Sequence, residues 1–436
     1  MPRPLRGLAT TGYLADMTEQ RSDIAIVGGG PVGGLAACTL ARAGYAVTLF
    51  ERGAPPAPDA HPNDTRGYAL AAGSVQFLDD LGYWAPLAER ATAIRSIVVS
   101  RRGGLGRVHL NAVDHGRHAL GQVVPAVALE PMLDAACRDA GVDVRHHSTL
   151  AGVGEVTDGQ RALRIHGAEG ESTWAARLIL AADGIQSPAR KALGLPVNRL
   201  RYAADALVFD VLPARPHNGQ AFERFTDEGP LALLPQADGR MNVVWVAPPE
   251  TCERRLELDE AERLRELQAR FGWTLGRLRP VGRVVRFPLE RLHAPEPVAD
   301  RALLLGNAAH AVHPVAGQGL NLALRDVATL LGALREGRGQ GGAPGFVADP
   351  GAPATLAAYA RARRADVNGV VAATDFLARG MLHAAGLRGH ALGSGMMAVD
   401  RLRPARDRLA QAAMGLGPLP RHTARHLARP DTGGGA

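Results

Sequence analysis

Apolar and polar positions along the chain fall into blocks with different rhythms. From Asp23 to Arg52, "DIAIVGGGPVGGLAACTLARAGYAVTLFER", a short β-branched run meets a glycine cluster. A helix-forming stretch that stops at Gly44 follows, and then a second apolar run. That order predicts strand, turn, helix and strand, a βαβ unit of about 30 residues. Two later runs, "ARLILAADG" (176–184) and "RALLLGN" (301–307), read as buried strands ending in polar loops.

Between Ala203 and Pro288 the pieces "DALVFDV", "LALLPQ", "MNVVWVAP" and "GRVVRFPL" are separated by turn residues and predict an inserted, mostly antiparallel sheet. Glu253 to Phe271 has the spacing of one amphipathic, charged helix. "GRGQGGAPGFVADPGAP" (337–353) predicts a flexible connection. The Ala/Leu/Arg-rich remainder predicts helices. No tandem repeat is visible.

Composition narrows this picture. With 436 residues and 46% hydrophobic content the chain can bury a sizeable core. The net charge is +7, but only one of the 50 basic residues is lysine (Lys191). Such an arginine bias reflects a GC-rich genome, so the basic balance is no argument for nucleic acid. Charge placement says more: from Phe376 onward nine Arg (379, 388, 401, 403, 406, 408, 421, 425, 429) face three Asp (400, 407, 431). A basic, apolar-interleaved C-terminal segment suits an anionic membrane surface or an acidic partner, and a solvated helix face equally. Cys38, Cys137 and Cys252 form no C-x-x-C pair, which argues against a disulfide framework, a zinc site or a dithiol centre and for the cytosol. No apolar run reaches the roughly 20 residues of a membrane span, and the opening segment lacks a signal-peptide core. Residues 1–22 are expected to be a flexible extension, with Met17 as an alternative start.

Gly28, Gly30 and Gly33 form G-x-G-x-x-G after a predicted strand and at the start of a helix. Glu51, followed by Arg52, ends the next strand 23 positions later, where a carboxylate can accept from a ribose diol. The alternative is a structural glycine turn. No second strand-bound copy appears. In "LLLGNAAHAVHPVAGQGLNLALRD" (303–326) a strand, a polar loop and a helix start follow one another, and the exposed N–H groups of a helix start attract an electron-rich group. His310 and His313 are spaced as a metal pair could be, but no carboxylate or cysteine cluster supports it, so no metal is expected.

The fingerprint at Gly28, "AADGIQSPARKALG" (181–194) and "GNAAHAVHPVAGQGLNLALRD", in this order, resemble the single-component flavin-dependent aromatic hydroxylases. Within them the chain is most similar to the ubiquinone-biosynthesis hydroxylases, over nearly all of Asp23 to Arg429. The resemblance implies an α/β fold of para-hydroxybenzoate hydroxylase type. Its Rossmann-like FAD-binding domain would comprise 23–91, 119–197 and 297–350, its substrate domain 92–118 and 198–296, and its helical C-terminal region 351–436.

FAD is the implied cofactor and NAD(P)H its transient reductant. Implied cofactor contacts are Gly28, Gly30, Gly33, Glu51, Arg52, Arg66, Gln122, Asp183, Gly306 and Asn307. Pro314, Gly317 and Gln318 would lie nearest the flavin ring, and the backbone of Gly317, Gly319, Leu320 and Asn321 would face its N1/C2 edge. Most relatives carry Asp where this chain has Asn307; the ubiquinone group most similar to it carries Asn. Asn keeps the reach of Asp and both donates and accepts, while giving up a charge-assisted bond.

By the same resemblance Phe225, Leu233, Pro235 and Trp245 are candidate substrate-pocket residues, with core packing as the alternative. No general base stands out. The implied reaction is hydroxylation of a prenylated phenol, 2-polyprenyl-6-methoxyphenol, through O2 addition to reduced flavin as a C4a-hydroperoxide. The enzyme would be cytoplasmic and peripherally membrane-associated, with its C-terminal region touching a membrane or a ubiquinone-biosynthesis complex. A flavin monooxygenase acting on a soluble aromatic compound and a non-catalytic flavoprotein scaffold remain as alternatives.

Overall fold

A computed structural model describes residues 20–56, 66–104, 106–336, 346–380 and 387–416. The first βαβ unit forms as the pattern predicts: strand Gln20–Val27, helix Pro31–Arg42 and strand Val47–Phe50. The strand starts before Asp23, because Gln20, Arg21 and Ser22 pair with Trp174, Ala175 and Ala176. The supposed extension therefore gives its last three residues to the sheet.

Five parallel strands build this sheet. Gln20–Val27 is central, with Val47–Phe50 and then Asp143–Arg145 on one side, and Gly170–Ala181 and then Ala302–Leu304 on the other. Residues 149–157 and 160–167 extend it as an antiparallel meander. Ile24, Ile26, Leu178, Leu180 and Leu303, all fully buried, pack beneath the helix Pro31–Arg42. Both faces are covered, which is why these strands read as continuous apolar runs.

A second sheet of eight strands is antiparallel except where Gln220–Phe225 runs beside Ser96–Arg101. Its long members are Asn198–Pro213 and Leu278–His293, joined by Gln220–Phe225, Pro230–Pro235 and Met241–Ala247. A small third sheet, Gly67–Ala71, Gly121–Pro125 and Thr92–Ile94, is formed between Phe50 and Asp143 of the chain, with the second-sheet strands Ser96–Arg101 and Arg107–Asn111 falling between its members in sequence.

The expected single helix over 253–271 is two helices, Pro249–Glu257 and Glu260–Phe271. Asp259 divides them, because its side chain accepts from Glu262 N at 2.7 Å and starts a new helix. The connection over 337–353 is described only from Phe346. From there it is tied down: Phe346 packs edge-on against Tyr45, and Asp349 holds Arg301 at 2.8 and 2.9 Å.

Three helices follow, Pro353–Gly380, Leu387–Arg401 and Arg403–Ala413. The last two dock on the strand Arg107–Asn111, where Asp400 accepts from His109 N at 2.9 Å, and Met414 O accepts from Gly73 N of the helix Ala72–Asp80 at 2.9 Å. No helix among the described residues is long and apolar enough to cross a membrane.

Candidate active site

The parallel strand order reverses between Gln20–Val27 and Gly170–Ala181, and a crevice opens at the carboxyl ends of strands at such a point. Both strands run out there into glycine-bearing turns. Gly28 has φ +105°, and a Cβ on it would meet Ala182 O at 2.5 Å. A Cβ on Gly33 would lie 1.9 Å from Gly28 O. These two glycines are required by the protein's own packing.

Gly30 differs. Its φ of −64° suits any residue, and a Cβ there meets nothing within 4 Å. Gly319 is equally free of neighbours. Both line one large cavity of about 1150 Å³. Glycine at a position that neither backbone nor packing demands fits a site where a bound group comes close to the chain, as a pyrophosphate does at a fingerprint helix.

Glu51 stands beside this turn. Its Oε2 accepts from Gly29 N at 2.6 Å and its Oε1 from Gly53 N at 2.7 Å, which fixes the carboxylate and leaves each oxygen a lone pair for a ribose. Arg52 is exposed next to it. The residues thus fit a dinucleotide.

Across the crevice, residues 302–311 are all buried except Asn307, which lines the cavity. Pro314, Gly317, Gln318, Gly319, Leu320 and Asn321 line it too. The Asn321 side chain accepts from Ala71 N and Ser74 Oγ, both at 2.7 Å, and donates to Ala69 O and Gly317 O, both at 2.8 Å. It locks the start of the helix Gln318–Glu336 to the small sheet.

Asp183 lies at the end of its strand, but both its oxygens are engaged locally, by Ser187 Oγ at 2.5 Å and Ala189 N at 2.9 Å. It shapes the turn into Pro188–Ala192. Arg190 of that turn, 2% exposed, donates to Ala308 O at 2.9 Å and so ties the Asp183 segment to the Asn307 loop. Arg66 sits 3.4 Å from Glu130, and Gln122 lies in the small sheet; neither lines the cavity.

His310 contacts Asp326 at 2.7 Å, and His313 accepts from Val315 N at 3.2 Å. Burial pushes the His313 imidazole down to about pKa 4 despite the opposing charge of Asp375, so it is neutral at physiological pH. Among the described residues no cluster of metal-ligating side chains occurs.

The walls of the cavity come from the second and third sheets, from the segments that follow strands of the parallel sheet, and from the C-terminal helices. Phe225 lines it; Leu233, Pro235 and Trp245 do not. Leu233 and Trp245 are fully buried on the other face of the antiparallel sheet, where the Arg255 guanidinium lies 3.8 Å from the Trp245 ring centroid. Their strand neighbours Ala232, Leu234 and Val244 face the cavity, because alternate residues of a strand point to opposite sides. The cavity reaches the surface at Phe376 and Leu409, 68% and 40% exposed. Sequence reasoning assigned no role to Arg190, Asp326 or the helix residues Phe376, Leu377 and Met396. The first two stand within the quoted segments, and buried charge in a strand-loop-helix unit was the signal available.

Residues 21–373 match the FAD binding domain family. The chain is 34% identical over 426 residues to ubiquinone hydroxylase UbiL of Rhodospirillum rubrum, covering 95% of this chain and 97% of that protein. It is 34% identical over 330 residues to 3-demethoxyubiquinol 3-hydroxylase of Escherichia coli, covering 74% of this chain and 82% of the other. Among solved structures, p-nitrophenol 4-monooxygenase PnpA from Pseudomonas putida DLL-E4 shares the fold with a TM-score of 0.73, over 92% of this chain and 99% of that one, at 19% identity.

Proposed function

The chain belongs to the FAD binding domain family, among its ubiquinone-biosynthesis flavin hydroxylases, and from that membership we propose that this FAD-dependent monooxygenase hydroxylates 2-polyprenyl-6-methoxyphenol with NAD(P)H and O2. The observation that carries the substrate reading is the cavity itself. Gly30 and Asn307 line it on the cofactor side, Phe225, Leu234 and Val244 add apolar walls for a ring, and Phe376 and Leu409 give it an apolar opening for a tail. An apolar ligand calls for such walls. In this reading 23–91, 119–197 and 297–350 form the FAD-binding domain, 92–118 and 198–296 the substrate domain, and the helices Pro353–Gly380, Leu387–Arg401 and Arg403–Ala413 of the C-terminal region cover the tail.

FAD, when bound, supplies the redox and oxygen chemistry. The chain supplies position and shelter. Gly30 and Gly319 admit close approach of the cofactor; Glu51 accepts from its ribose; Asn307 both donates to and accepts from ribityl hydroxyls. The N–H groups of 317–321 offer the positive end of a helix to an electron-rich edge. Leu234, Val244 and Phe225 exclude water from the ring's surroundings.

Leu402, 59% exposed, stands between the exposed Arg401 and Arg403 along the chain, and the 40% exposed Leu409 follows the exposed Arg408. An anionic bilayer fits this combination, at about 1 kcal/mol per basic residue near the surface. NAD(P)H oxidation by the FAD-loaded protein tests the proposal, with the phenol presented in anionic or neutral vesicles. The expected result is strong stimulation by the prenylated phenol, greater in anionic vesicles, with that preference lost in Arg401/Arg403/Arg408→Gln. Equal kcat/KM for a phenol without a tail indicates a soluble substrate, and no stimulation by any phenol indicates a scaffold; either overturns the proposal.

A further inference from the structure

Asn307 can anchor a cofactor only if the short turn that carries it is held in place, and one buried carboxylate holds both of its ends. Asp326 is fully buried, and its Oδ2 accepts from Gly306 N at 2.9 Å, on one side of Asn307, and contacts His310 Nε2 at 2.7 Å, on the other. Its Oδ1 accepts from Arg363 Nε at 2.8 Å. Gly306 needs its φ of +55° to turn that N–H inward, in a space where Val32 and Ala323 already stand within 3.4 Å of a Cβ.

Arg363 lies on the helix Pro353–Gly380 and is itself 3% exposed. It also donates to Leu322 O at 3.1 Å and pairs with Asp366, which in turn takes Arg325 Nε at 2.8 Å. Burial would raise the Asp326 carboxyl, but the charges of His310 and Arg363 and its hydrogen bonds outweigh that and hold it at about pKa 2. A buried carboxylate kept ionised in this way accepts strong, short hydrogen bonds and resists displacement of the groups that make them.

We propose that Asp326, braced by Arg363 from the C-terminal helix, is the positioning residue of the cofactor turn and acts on FAD through Asn307. The C-terminal helix is then part of the cofactor site, although Arg363 touches no cofactor. This inference rests on the FAD-binding reading and adds to it a named source of its preorganisation.

A double-mutant cycle tests it, with FAD dissociation constants and visible-region circular dichroism of the bound flavin as readouts and apoprotein melting as the control. Asp326→Asn in the wild-type background is expected to weaken FAD about tenfold and change the flavin dichroism. In the Asn307→Ala background the same substitution is expected to do little further, since its route to the cofactor is gone. Arg363→Met should follow Asp326→Asn, and Arg363→Lys should recover part of the affinity. If Asp326→Asn does not fold, His310→Gln removes one arm of the brace and enters the same cycle. Additive losses, or FAD affinity unchanged in folded variants, overturn the proposal. Wild-type protein that takes up no FAD would instead overturn the reading on which it rests.

Discussion

Single residues separate what the protein needs for itself from what it needs for a ligand. Gly33 has no room for a methyl group, whereas Gly30 has open space and an ordinary φ. Gly33→Ala is therefore expected to lower the apoprotein melting temperature sharply. Gly30→Val should leave it within a few degrees of wild type yet abolish FAD uptake; FAD titration and melting of both variants check this, and a Gly30→Val protein that binds FAD normally contradicts it. The same motif in the sequence cannot distinguish these glycines, since both are simply G.

His313 gives a pH signature. Its ordinary pKa of 6.5 falls to about 4 in the fold. Above about pH 6.5 it is neutral in both states and contributes no pH dependence. Below that, the unfolded chain binds a proton that the folded chain refuses, so stability declines as pH falls from 6.5 toward 4, by up to about 3 kcal/mol. Burial lowers His217 and His293 as well, so they act in the same direction. Denaturant unfolding at about pH 7.5 and about pH 5 should show a smaller loss for His313→Asn than for wild type. Equal losses would show that His313 does not set the acid sensitivity of the fold.

At the scale of elements, the sequence was most legible where one period dominates. The βαβ unit and the buried strands near 176–181 and 302–304 follow from continuous apolar runs bounded by glycine and polar loops. The strands Pro230–Pro235 and Met241–Ala247 were located but not oriented. Both of their faces are apolar, one against the core and one on the cavity, so "LALLPQ" and "MNVVWVAP" carry no alternation to reveal which side is which. Trp245 was the conspicuous residue, and its parity places it with Arg255 instead. Asp259 likewise divides a stretch whose helical period runs through without a break.

This parity makes opposite predictions for two residues of adjacent strands. Trp245→Ala should cost about 3 kcal/mol or more of stability, leaving Arg255 without its ring, and should leave KM for the phenol near wild type. Leu234→Trp should keep the melting temperature and raise KM about tenfold by filling the cavity. Unfolding and steady-state kinetics of the two variants read this directly; a KM effect confined to Trp245 would reverse the assignment.

For the whole molecule, the C-terminal helices complete the enclosure that the two large sheets leave open. The helix Pro353–Gly380 is fixed at Arg363 to Asp326 and at Asp375 to Tyr202 and Arg291, at 2.8, 3.0 and 3.3 Å. It thus spans from the cofactor turn to the antiparallel sheet and sets Phe376 at the opening. In sequence this region is a run of Ala, Leu and Arg, a composition that predicts helix and basic charge but contains nothing to say what the helix covers. Tertiary pairing of single charged residues decides that, and single residues leave no periodic trace. In the proposed reaction one oxygen atom from O2 enters a prenylated phenol inside the enclosed cavity. The most direct measurement is mass spectrometry of the product formed by the FAD-loaded protein with NAD(P)H, the prenylated phenol and isotopically heavy O2. Product heavier by one heavy oxygen atom, formed only when phenol, NAD(P)H and FAD are all present, is the predicted result. Consumption of NAD(P)H with no heavy oxygen in the phenol would rule out phenol hydroxylation by this protein.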